Sequence, residues 1–123
     1  MPKKTVLVVD DTPDNITVLD GILRDHYNVK AAPRGAIAVK IARSPVPPDV
    51  ILLDIMMPEM NGYEVLKELK SSPQTSSIPV IFVSAKNEEA GLAETSGMDI
   101  AGYLTKPVEP QAVLGAIEKV LGA

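Results

Sequence analysis

A chain of 123 residues, 46% hydrophobic and 23% charged, has room for one hydrophobic core and the balance of a folded domain rather than a disordered one, so residues 1–123 are expected to form a single unit. The net charge is −4 and no basic run exceeds Lys3-Lys4, which leaves no electrostatic footprint for a nucleic-acid backbone. The absence of cysteine excludes disulfide and thiolate chemistry and fits a cytoplasmic location, and no apolar run reaches membrane-spanning length.

The first apolar run, Thr5 to Val9, is continuous rather than alternating, as in a parallel strand covered on both faces. Thr12 then stands as a helix cap with Pro13 in the first turn, and Ile16, Leu19, Ile22 and Leu23 share one helical face. The more polar Tyr27 to Ala32 predicts a strand at a sheet edge. Ile37 and Ile41 lie one turn apart in a helix over Gly35 to Arg43, and Pro45, Pro47 and Pro48 fall in the connection that follows. Val50 to Leu53 is a third strand, Tyr63 to Lys70 a third helix, Ile78 to Val83 a fourth strand, and Glu88 to Ser96 a small, polar fourth helix. Ile100 to Leu104 is a weaker fifth strand, and Glu109 to Leu121 repeats Val113, Leu114, Ile117, Val120 and Leu121 at helical spacing. Five alternations of strand and helix predict an α/β, doubly wound, five-stranded parallel sheet with right-handed crossovers flanked by five helices. Ligands in such folds bind beyond the carboxyl ends of the strands.

Four of the five strand runs are followed by chemistry. Asp10 and Asp11 follow the first, Asp54 the third, Ser84 and Ala85 the fourth, and Lys106-Pro107 the fifth. Two like charges at ~4 Å repel by about 4 kcal/mol at an effective dielectric near 20, so three gathered carboxylates call for a cation. Oxygen donors without His or Cys favour Mg2+, which keeps several waters and bridges carboxylates to phosphate. Lys106, the Ser84 hydroxyl and the Ala85 N–H suit the equatorial oxygens of a phosphoryl group. Asp10 and Asp11 can share the metal, whereas Asp54 stands alone before Ile55-Met56-Met57-Pro58, making it the better covalent acceptor.

The runs Val8-Val9-Asp10-Asp11 and Leu53-Asp54-Ile55-Met56-Met57-Pro58-Glu59-Met60-Asn61-Gly62, with the pairs Ser84-Ala85 and Lys106-Pro107, occur in the order and approximate spacing of a known family. The chain resembles, over its whole length, the receiver domain of two-component response regulators. The resemblance implies a flavodoxin-like sheet of order 2-1-3-4-5. It implies phosphorylation of Asp54 by a histidine kinase or histidine phosphotransfer protein in a phosphorelay, with no turnover beyond the domain's own phosphorylation and dephosphorylation. It further implies direct Mg2+ ligation by Asp11, Asp54 and the Met56 carbonyl, with Asp10 acting through water. Lys106 and Ser84 would hold the phosphoryl group, with Ala85 and Met56 beside it. Tyr103 would match the aromatic that changes exposure when the serine moves, and the Lys106-Pro107 bond would be cis. Downstream, the resemblance implies an effector protein or attached output domain, and phosphorylation-dependent dimers among the assembled states. The resemblance also places Met56 and Lys86 at positions that in the family tune the lifetime of the phosphoryl group. Met98-Asp99-Ile100 replaces the Ala-Gly-Ala usual before the last strand, which predicts a shifted or frayed fourth helix.

Three other readings compete. An aspartyl phosphatase or mutase commonly carries a second aspartate two residues after the nucleophile, where this chain has Met56. A flavin-binding fold would want a Ser/Thr/Gly-rich phosphate cradle, which the strand-end loops lack. A receiver-like interaction module without chemistry would leave acceptor, metal and lysine positions unfilled, whereas all are filled here.

Overall fold

The apolar runs and amphipathic segments form, in a computed structural model that describes residues 3–85, 93, 95 and 97–122, five strands and, among those residues, four helices. In chain order these are β1 (Thr5–Val9), α1 (Pro13–Leu23), β2 (Asn28–Ala32), α2 (Gly35–Ala42), β3 (Val50–Asp54), α3 (Gly62–Lys70), β4 (Val80–Ser84), β5 (Gly102–Thr105) and α4 (Pro110–Leu121). All pairings are parallel and the order is β2-β1-β3-β4-β5, the flavodoxin-like arrangement, with the polar β2 at an edge as its composition predicts. The helix expected over 88–96 falls largely outside the described residues, so the five expected helices reduce to four among those described.

The pleat sends alternate residues of the central strands to opposite faces. Leu7, Val9, Ile51, Leu53, Val80 and Phe82 form one core with Ala38 and Val39 of α2 and Val65, Leu66 and Leu69 of α3. Val6, Val8, Val50, Leu52, Ile81 and Val83 form the other with Leu19 and Leu23 of α1 and Val113 and Ile117 of α4. Both faces are thus covered, which explains why the runs read as continuous. Phe82 is fully buried and meets Tyr63 edge-on at 5.5 Å between ring centroids. Phe82→Ala is therefore expected to cost about 3–5 kcal/mol, read as a lower urea midpoint with an unchanged slope.

Local details refine the expectations. Thr12 is the N-cap residue of α1, but its hydroxyl makes no cap hydrogen bond. Its backbone N–H instead donates to Asp10 Oδ1 at 2.9 Å. α3 carries a full capping box: Asn61 Oδ1 accepts from the Glu64 N–H at 3.0 Å, and Glu64 Oε1 accepts from the Asn61 N–H at 3.1 Å. β4 begins two residues later than its apolar run because Pro79 has no N–H to donate and the Ile78 N–H turns back to the Thr75 carbonyl.

Candidate functional site

The register of the sheet gathers the polar strand ends. Val9 lies level with Leu53, which sets Asp10 beside Asp54 across the β1–β3 boundary, where the strand order reverses. Asp54 pairs with Val83, Ser84 with Thr105, and the Lys106 N–H donates to the Ser84 carbonyl at 2.7 Å. One edge of the sheet therefore presents Asp10, Asp11, Asp54, Ser84 and Lys106 together.

Carboxylate oxygens of Asp10, Asp11 and Asp54 lie within 4.8 Å of one another. Asp10 and Asp54 are 1% and 4% exposed, while Asp11 faces solvent. Lys106 Nζ bridges the two buried acids, 3.0 Å from Asp10 Oδ2 and 3.3 Å from Asp54 Oδ1. Burial, and then the neighbouring Asp10 charge, push the Asp54 carboxyl above its ordinary range, against the pull of Lys106 and a hydrogen bond from the Met56 backbone N–H. For Lys106, burial alone would lower the ammonium pKa. The hydrogen bond to Asp10 and the charges of Asp54 and Asp10 outweigh it, and the value is raised.

The loop after Asp54 is held by a close backbone approach. A Cβ on Gly62 would stand 2.6 Å from the Asp54 carbonyl oxygen and 2.8 Å from Ile55 Cα, and the Gly62 N–H donates to the Ile55 carbonyl at 2.9 Å. The first residue of α3 thus rests on the backbone of Asp54 itself. Gly62→Ala is expected to cost about 1–3 kcal/mol and to displace the Asp54 backbone, read as a lower melting temperature together with weaker divalent-cation binding. Among the residues of the site, Gly62 is one that sequence reasoning did not single out.

The other expected site residues are placed as follows. Ser84 is buried and Ala85 exposed at the end of β4. Met56 is 69% exposed, and its backbone N–H is engaged at Asp54. Tyr103 packs against the α2–α3 side of the core, and its hydroxyl is buried with no hydrogen-bond partner among the described residues. The Lys106-Pro107 bond is cis. Lys86 lies outside the described residues.

The family model for the response regulator receiver domain matches residues 6–118. The chain belongs to the response regulator receiver family. Among relatives of this receiver domain, Protein PilH of Pseudomonas aeruginosa is 38% identical over 117 residues, covering 94% of this chain and 96% of that protein. A probable cyclic di-GMP phosphodiesterase of Vibrio cholerae is 44% identical over 107 residues, 85% of this chain but 23% of that protein. The receiver domain thus spans under a quarter of that relative, and phosphodiesterase activity does not carry over from it. Among solved structures, the receiver domain of the Pseudomonas aeruginosa sensor histidine kinase PA1611, described with a magnesium ion coordinated in its active-site cleft, superposes with a TM-score of 0.86 at 28% identity, covering 98% of this chain and 99% of that one. No helix among the described residues is long and apolar enough to cross a membrane.

Proposed function

We propose that residues 1–123 act as one phosphoacceptor domain, in which Asp54 takes a phosphoryl group from a phosphohistidine donor with Mg2+ bound at the acidic cluster. The observation that carries this reading is the Lys106 bridge between two nearly buried carboxylates beside a third. The donor set fits a hard divalent cation: every side-chain ligand is oxygen, and the Asp54 pKa is raised, the mark of a negative charge short of compensation. Asp11, Asp54 and the Met56 carbonyl would hold the ion, with Asp10 acting through water. When bound, Mg2+ neutralises charge on the transferring phosphoryl oxygens.

The chain's own groups supply the rest. Asp54 attacks phosphorus with one carboxylate oxygen as the phosphorus–nitrogen bond of the donor breaks and the donor histidine keeps that electron pair. Lys106 moves from carboxylate to phosphoryl oxygen, and the Ser84 hydroxyl and Ala85 N–H complete the cradle. Drawing Ser84 inward opens room for Tyr103, whose buried hydroxyl has no hydrogen-bond partner among the described residues and gains one on rearrangement. The surface around β5 and α4 is then the face that passes the signal to an effector, an attached output domain or a second copy. The signalling partners are histidine kinases or phosphotransfer proteins in the cytoplasm, with neither nucleic acid nor membrane bound directly.

Incubation with acetyl phosphate and Mg2+ is expected to add one phosphoryl group per chain, read by intact mass. EDTA should prevent it. Incorporation that persists without divalent cation, or none in its presence, would count against the proposal.

A further inference from the structure

Asp10 is oriented at both of its oxygens. Oδ2 faces Lys106 at 3.0 Å, while Oδ1 accepts from the Thr12 backbone N–H at 2.9 Å and from the side-chain amide of Asn15 at 3.4 Å. Asn15 sits in the first turn of α1, half-buried, and also lines the cleft between α1 and the segment after β5, next to Val18, Val83, Lys106 and Pro107. A carboxylate rotates about its Cβ–Cγ bond unless both oxygens are held. Thr12 alone would leave Asp10 a single anchor on that side. The second donor sets the plane of the group, and with it the direction in which Oδ2 faces the acidic cluster.

We infer that Asn15 is a positioning residue: its carboxamide, together with the Thr12 N–H, fixes Asp10 so that one oxygen belongs to the entry of α1 and the other to Lys106 and the cation. This inference rests on the reading of the cluster as a Mg2+ site. Groups that orient metal-binding side chains commonly change affinity by about 10–100-fold when removed. Asp10 is the more remote of the acids from direct ligation, so the lower end applies.

The test is calorimetric titration of the full chain with MgCl2, alongside thermal melts in EDTA. Asn15→Leu keeps the size and the helix but removes the donor. It is expected to weaken Mg2+ binding about tenfold with little change in the EDTA melting temperature, and Asn15→Gln should restore part of the affinity. The Thr12 amide should also exchange faster in Asn15→Leu, because Asp10 Oδ1 is then free to swing away. A Mg2+ affinity within twofold of the unsubstituted chain would overturn the inference. So would a weakening matched by a fall in EDTA stability and not relieved by Asn15→Gln, since that pattern marks a merely structural role. If the unsubstituted chain takes up no Mg2+, the functional reading fails first, and the inference with it.

Discussion

Asp54→Asn is expected to abolish phosphoryl uptake from acetyl phosphate and, in EDTA near neutral pH, to make the domain more stable. The first effect follows from removing the attacking oxygen. The second follows from electrostatics: the folded state holds Asp54 against Asp10 in a nearly dry setting, and burial plus that repulsion outweigh the attraction of Lys106. Because the folded pKa lies above 3.8, folding is favoured when the group is protonated. The Mg2+-free protein should therefore lose stability as pH rises from below 3.8 through the raised folded value, and Asp54→Asn should lack that loss. The expected gain at neutral pH is roughly 0.5–2 kcal/mol, typical of relieving a functional site that carries unfavourable charge. Thermal melts across pH in EDTA measure it; a variant less stable than the parent at neutral pH would contradict the electrostatic account.

Lys106→Met has the opposite sign. Met matches the alkyl stem of the lysine but removes the ammonium, leaving Asp10 and Asp54 facing each other. Breaking a fully buried ion pair costs about 3–5 kcal/mol. The Lys106 side chain is 22% exposed, so a loss on the order of 2 kcal/mol in EDTA is expected. Saturating Mg2+ should recover most of it, since the cation replaces the missing charge, and Mg2+ should bind more tightly because no lysine competes for the oxygens. The pKa of Lys106 is raised, so its contribution is fully present below 10.5 and disappears as pH climbs through the higher folded value. The parent should show that alkaline loss and Lys106→Met should not. Equal destabilisation with and without Mg2+ would mean that Lys106 and the cation do not share these oxygens.

The strands were legible because each is covered on both sides, so burial leaves an uninterrupted apolar signature that ends at the sheet edge. The cluster was legible for the same reason: Asp10, Asp54, Ser84 and Lys106 each sit where an apolar run stops, and parallel register brings such ends together. What escaped depends on contacts between distant backbones. Nothing in the run around Gly62 announces that its α-carbon rests on the carbonyl of Asp54. The start of β5 at Gly102 rather than Ile100 is set by where pairing with Ile81 begins, since the Ile100 N–H is taken by the Met98 carbonyl in a turn. The Asn61–Glu64 box could have been found from its Asn-x-x-Glu spacing. Thr12 matched the residue type for a cap, but the acceptor that its segment needs is supplied by Asp10.

One particular carboxylate, that of Asp54, is expected to receive the phosphoryl group. Peptide mass spectrometry after acetyl phosphate treatment with Mg2+ and borohydride reduction reads this directly, because an aspartyl phosphate is reduced to homoserine. Homoserine confined to position 54 is the predicted result; homoserine at position 10 or 11 would contradict the account.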